Sequence, residues 1–254
     1  MKKALVIASV ILSFASALEA GEAPQSITTR HKCSDTKGRI LWEAAVTITP
    51  VAGENGAYML LEEGKGQYFG FEGETSCRSE MKFTSDKDGI RPAWMKRTVL
   101  SGAGNALLEE SQDFGRGGDT VRCVIRDPVK NSEKNLSFNY KGGAINKLLT
   151  GLYIRAMLEA GERQRTVNIV NDEPAMYRLT MKVVGREMIK VNGSEHEAFK
   201  VCIDPNIGLL SPAKVFIPKN YSWFSCEPPH RWLKFKGLET SISSPVVEIT
   251  TMDD

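Results

Sequence analysis

The chain has little histidine, no excess of either charge, and no long apolar run beyond its first residues. Only three imidazoles occur, at His31, His196 and His230. No Cys-x-x-Cys or His-x-His spacing accompanies them, so a zinc-type site is not indicated. The 33 basic and 31 acidic side chains nearly cancel, so the clear excess of Lys and Arg that a nucleic-acid surface needs is missing. No later stretch approaches the ~20 apolar residues a spanning helix needs, so no transmembrane span is expected. Gly-x-Ser-x-Gly, the phosphate loop and His-Glu-x-x-His are all missing, as are fixed-period repeats and low-complexity linkers. The chain therefore reads as neither an enzyme nor a cofactor carrier.

What is there begins with an export pattern. Lys2 and Lys3 precede an apolar run from Ala4 to Phe14, and Ala15-Ser16-Ala17 offers a small-x-small cleavage site. Cuts after Ala20 or Ala23 also meet small residues, although Pro24 disfavours the second. Residues 1–20 are thus expected to be a signal peptide, cleaved to leave a periplasmic product. The short run behind two lysines has a bacterial look. No Cys follows the run, so a lipid-modified N-terminus is not indicated. A cut after Ala17 removes two lysines and takes the net charge from +2 to zero. Residues 21–254, in a chain that is 41% apolar, suffice for one core and are expected to form a single domain.

Five cysteines survive signal removal: Cys33, Cys77, Cys123, Cys202 and Cys226. In an oxidising compartment they should pair, leaving one over. Cys202 and Cys226 are the favoured disulfide candidates, being consecutive cysteines on what read as neighbouring strands; closing that loop would contribute about 3 kcal/mol.

The longest helical pattern runs over residues 144–163, AINKLLTGLYIRAMLEAGER. Ile145, Leu148, Leu149, Leu152, Ala156 and Ala160 share one stripe, while Ile154 and Leu158 point away from it. A helix apolar on two sides is either sandwiched in the fold or half open to an apolar ligand. Elsewhere the chain alternates with a period of two. Ile40 to Thr49, Tyr58 to Leu61, Cys77 to Thr84, Ile90 to Leu100, Ala106 to Phe114, Leu136 to Tyr140 and Lys214 to Ile217 read as strands, with QYFGFEG as short extended pieces. Turns are expected at Gly53-Glu54-Asn55-Gly56, Asp88-Gly89, Gly117-Gly118-Asp119 and Asn192-Gly193, the last lengthened by SEHE, and a hinge at Gly142-Gly143. Pro92 suggests an edge or a bulge. Val121, Cys123 and Ile125 share a face that points Cys123 into the core. Tyr177, Leu179, Met181 and Val183 oppose Arg178, Thr180 and Lys182, and Phe199, Val201 and Ile203 repeat the pattern. Trp223-Phe224, Trp232 to Lys236 and Val246 to Thr250 complete the set. A sheet this long must curl, so the fold class is mainly β: a curved antiparallel half-barrel wrapped around one long helix.

Several of these segments carry a likeness. The helix with its leucines, aromatic and arginine, then Gly185-Arg186-Glu187, Phe199-Lys200 and Trp223-Phe224-Ser225, resembles an exported bacterial family known as domain of unknown function 3108. Cys226 departs from the acidic residue usual after that serine. The resemblance implies a half-barrel similar to the periplasmic lipoprotein carriers, which hold acyl chains between a curved sheet and helices, and implies no reaction.

Glu195-His196-Glu197 is the most tempting chemical cluster, but on a strand its carboxylates project opposite the imidazole. Arg155 is either solvated or paired with a carboxylate such as Glu187, and His230 reads as a loop residue. Two functions follow. The first is a non-catalytic periplasmic carrier for a lipid or other apolar molecule, with Leu152, Ile154 and Leu158 lining its cavity. The second is an envelope scaffold or interaction module whose helix fills the interior and whose partner is another envelope protein.

Overall fold

The structure is a computed structural model and describes residues 26–86, 89–115, 120–139, 143–170, 176–205, 217–240 and 243–253. The expected signal peptide, the Gly117-Gly118-Asp119 turn, Asp88, Gly142 and residues 214–216 lie outside the described residues. The fold is mainly β, an open curved antiparallel sheet with one short helix. Its first eight strands are β1 (Ile27–Asp35), β2 (Ile40–Pro50), β3 (Ala57–Gly66), β4 (Thr75–Asp86), β5 (Gly89–Ser101), β6 (Ala106–Phe114), β7 (Thr120–Asp127) and β8 (Ser132–Asn139). After the short β9 (Ala144–Asn146) and helix α1 (Thr150–Glu159) come β10 (Gln164–Val170), β11 (Met176–Val191) and β12 (Ser194–Pro205). The last three are β13 (Asn220–Ser225), β14 (Trp232–Leu238) and β15 (Val246–Thr251). The chain divides into two compact units. Among the described residues one takes His31–Ile40 and the chain from Asn146 onward, and the other takes residues 26–30 and Leu41–Ile145.

In the second of these units β2 to β8 pair in chain order, each strand antiparallel to the next. Val46 and Ile48 of β2, Leu60 of β3, Met81 and Phe83 of β4, Met95 and Val99 of β5, and Val121 and Cys123 of β7 are buried on one face. Cys123 therefore points inward as its pattern requires. Pro92 sits at a bulge, for Phe83 faces Pro92 while Lys82 faces Trp94. QYFGFEG forms turns and bends after Gly66, with no strand.

In the other unit the order is β1-β15-β14-β13-β12-β11-β10-β9. The helix is much shorter than its sequence pattern. Asn146 accepts a hydrogen bond from the Leu148 amide at 2.8 Å, capping a 3-10 turn at Lys147–Leu149 that leads into α1. At the other end Gly161 adopts φ +69°. Its amide bonds the Leu158 carbonyl and the Glu162 amide bonds the Met157 carbonyl, the paired bonds that close a helix at a left-handed glycine. Ala144–Asn146 is a strand, and Gln164 already belongs to β10. The buried side also differs from the expected stripe. Ile145, Leu148, Leu149 and Leu152 of that stripe are buried, but Ile154 and Met157 outside it are wholly covered too, while Ala160 is exposed.

Candidate functional site

The three residues expected to line a cavity are all enclosed. Leu152 keeps 4% of its surface, Ile154 none and Leu158 8%. Ile154, with no accessible surface, is close-packed on every side. Arg155 is also buried, and its Nε donates to Glu159 Oε1 at 2.7 Å, one turn on. It does not reach for Glu187.

Glu187 belongs instead to a cluster assembled by β11 to β15. The turn between β11 and β12 is two residues long. Val191 pairs with Ser194, and Asn192 and Gly193 both take positive φ, +49° and +89°. SEHE therefore lies in β12 and does not lengthen the loop. The hairpin runs past the end of β13, whose Ser225 faces Ala198. Its tip returns over the sheet, for Asn192 Nδ2 donates to the Thr251 carbonyl on β15 at 3.0 Å. Val191 and Ala198 of this arm pack with Trp223 and Leu233, flanked by Ile189 and Tyr221. Trp223 is thus only 5% exposed although its neighbours on that face are polar.

Within this cover Trp223 Nε1 donates to Glu187 Oε1 at 2.7 Å, and Lys200 Nζ donates to Glu187 Oε2 at 3.3 Å. The indole bond, then the lysine, hold the Glu187 carboxyl below its ordinary range against partial burial. Lys200 lies over the rings of Tyr221 and Trp223 at 4.8 and 5.3 Å, and Lys234 over Trp223 at 5.8 Å. Lys234 Nζ also meets Glu248 Oε1 at 2.7 Å. On the opposite face the Arg186 guanidinium stacks on Phe199 at 4.6 Å, and the His230 ring meets Phe199 edge-on at 5.5 Å. The three short motifs, separated in sequence, are adjacent in register: Arg186 faces Phe199, Phe199 faces Phe224, and Lys200 faces Trp223.

The disulfide expectation is corrected by the same register. Cys202 faces Tyr221, whereas the Cys226 amide bonds the Glu197 carbonyl, five residues away along β12. At about 3.3 Å per residue the two are roughly 16 Å apart, beyond the span of a disulfide. No disulfide forms among the described residues, and Cys33, Cys77 and Cys123 are buried thiols. Burial pushes Cys123 up to about 12, with Glu110 adding to the shift. In Glu195-His196-Glu197, His196 faces Ile189 while its neighbours face Lys190 and Met188, so the carboxylates and the imidazole take opposite sides. Among the described residues no group of three or more His, Cys, Asp or Glu side chains could hold a metal ion.

A second cluster went unforeseen. On the buried face of β3 to β6, Glu62 faces Ser79, Ser79 faces Arg97 and Arg97 faces Glu110. Glu62, Ser79 and Glu110 retain 8, 1 and 4% of their surface. Gln112 Nε2 donates to Glu110 Oε1 at 2.8 Å, and Arg97 Nε donates to Cys77 Sγ at 3.3 Å. A carboxylate buried this deeply calls for a counter-charge nearby, and the strand register places Arg97 in the same row as Glu62 and Glu110, next to Glu110. The signal available in the sequence was the inward phase of β6, which places Glu110 and Gln112 on the same side as Phe114.

This is the class of mainly antiparallel β protein in which polar side chains join neighbouring strands. The chain belongs to the family described as protein of unknown function DUF3108, which it matches over residues 70–236. Its fold is similar to that of the β-barrel-like protein of domain of unknown function DUF1849 from Brucella abortus, at a TM-score of 0.50 and 10% identity, with 90% of this chain and 95% of that chain covered. The hypothetical lipoprotein YmcC from Escherichia coli aligns at a TM-score of 0.32 and 8% identity, over 89% of this chain and 84% of that one. No curated protein matches the chain. Among the described residues no helix is long and apolar enough to cross a membrane.

Proposed function

We propose that this protein is a non-catalytic interaction module of the bacterial envelope, with a filled interior and its binding done at the surface. The export pattern of residues 1–20 supplies the envelope location. The observation that carries the reading is the enclosure of the helix: Leu152, Ile154 and Leu158, the residues a lipid carrier would need to expose, keep 8% or less of their surface. Carriage of an apolar guest beside the helix would require those side chains to part, against the cost of opening a close-packed core. The divergent faces of Glu195-His196-Glu197 support the absence of a reaction at that cluster. The test is native mass spectrometry of the protein released gently from the periplasm. The expected spectrum is that of the bare polypeptide; a reproducible adduct with the mass of a lipid would overturn the filled-interior reading in favour of a carrier.

A further inference from the structure

The face on which Trp223 and Lys200 sit is the polar side of β1 and β10 to β15. Strand register places Lys32, Thr250, Lys234, Trp223 and Lys200 side by side across it, with Glu248, Lys236, Tyr221, Cys202 and Lys182 in the next row. Four residues before Lys182 on β11, Arg178 falls on the same side, opposite Asn168. The cations of this face are therefore Lys32, Arg178, Lys182, Lys200, Lys234 and Lys236. Its acids are Glu187, Asp204 and Glu248. Glu187 and Glu248 are already engaged with Lys200 and Lys234, whereas Arg178, Lys182 and Lys236 are exposed. The whole chain has a net charge of only +2, so this face concentrates positive charge that is balanced elsewhere. Tyr221, half-buried among the lysines, adds an amphipathic ring of the sort that settles at a lipid headgroup layer.

We propose that this face docks on a membrane surface bearing anionic phospholipid headgroups, with Lys182 and Lys236 as its leading contacts. The inference rests on the reading of the protein as an envelope module that binds at its surface, and names the partner. Charge complementarity selects the occupant: phosphate groups repeated over a plane can meet several ammonium groups at once, each contributing in proportion to its proximity and weakened by salt.

The experiment is co-sedimentation of the periplasmically exported protein with vesicles of phosphatidylglycerol and phosphatidylethanolamine, and with vesicles of phosphatidylcholine alone, at low and high salt. Binding is expected only to the anionic vesicles and only at low salt. Lys182→Glu with Lys236→Glu should lower the partition coefficient by tenfold or more, on the order expected for reversing two contacts. Arg186→Glu with Lys190→Glu, the same change of charge on exposed residues whose strand phase puts them on the opposite side of β11, should leave binding within about twofold of the parent and checks that net charge alone is not responsible. Binding to phosphatidylcholine equally well, an equal loss in both charge-reversed variants, retention by a soluble sulfated glycan without vesicle binding, or no binding at all would overturn the proposal. A vesicle-negative protein whose native mass stays bare defeats only the membrane docking; a lipid adduct in the native spectrum defeats the filled interior instead.

Discussion

His31 makes the stability of this protein depend on pH in a range where few other groups titrate. The side chain has no accessible surface and lies edge-on to Trp232 with ring centroids 4.9 Å apart. Burial lowers its pKa from 6.5 to about 4, more than the nearby Asp253 carboxylate can restore. In the unfolded chain the imidazole takes up a proton near pH 6.5, whereas in the folded chain it resists until about pH 4. Stability is therefore full above pH 6.5, falls as the medium is acidified, and stops falling below about pH 4. At roughly 1.4 kcal/mol per pKa unit, the complete loss is about 3 kcal/mol, of which about 2.5 kcal/mol has gone by about pH 4.5.

The perturbation is replacement of His31 by Phe, which preserves an aromatic contact with Trp232 and cannot titrate. Urea unfolding followed by tryptophan emission at about pH 7.5 and about pH 4.5 gives the loss for each protein. The parent should lose about 2.5 kcal/mol more than the variant over that interval. The lowered carboxylates Asp35, Asp127, Glu133, Glu162 and Glu187 also withdraw stability on acidification, but in parent and variant alike. Should Phe prove too large for the site, His31→Gln serves the same comparison, because only the difference between the two pH values is used. Equal losses in parent and variant would refute the assignment of a buried neutral imidazole at this position.

Four further outcomes follow from particular contacts. Gly237→Ala would put a Cβ 2.2 Å from Asn220 Oδ1, the acceptor of the Leu238 amide, and should cost about 2 kcal/mol in urea unfolding; an unchanged midpoint would show that the strand can shift. Arg97→Met removes the cation from the row that holds Glu62 and Glu110 and should cost about 3 kcal/mol, with part of the loss recovered when Glu110→Gln is added; no recovery would argue against charge compensation in that row. Glu187→Gln should cost about 1 kcal/mol, discounted for its exposure, and alter Trp223 emission, whereas an unaltered spectrum would dissociate the indole from this carboxyl. Iodoacetamide under native conditions should modify Cys202 and Cys226 before Cys33, Cys77 and Cys123, and peptide mapping of the oxidised protein should find no link between Cys202 and Cys226; such a link would contradict the β12 to β13 register.

The strands were legible where apolar and polar residues alternate cleanly. Ala106–Phe114 was read as a strand despite the helical look of LLEES, and it is β6. The strands that escaped notice are those whose inward residues are not apolar. In β1 the buried positions are Thr29, His31 and Cys33, a pattern that hydropathy does not recognise as a core. β10 was missed for another reason: Gln164 to Val170 begins directly after the helical run, and its first half, QRTVN, is largely polar and shows no clear alternation. The two local signals that stop that helix, Asn146 and Gly161, were both present in the sequence. The carboxylates of Glu62 and Glu110 were invisible as core residues because burial of a charge is decided by a partner on another strand, and the faulty disulfide arose because sequence order cannot supply register.

The family's short motifs acquire a physical meaning once the strands are in place. Gly185-Arg186-Glu187, Phe199-Lys200 and Trp223-Phe224-Ser225 occupy neighbouring strands, and each contributes one residue to either side of the sheet. On the polar side Glu187, Lys200 and Trp223 hold one another and anchor the β11–β12 arm that folds over them. On the other side Arg186, Phe199 and Phe224 continue a stack toward the core. A motif built in this way fixes the path of a hairpin, and its charged members are consumed in doing so: Glu187 has both oxygens engaged and Lys200 is held between a carboxylate and two rings. The charges that the motif leaves exposed on the same face, Lys182 and Lys236 foremost, are the ones the proposed membrane docking would use, and they lie outside all three signatures.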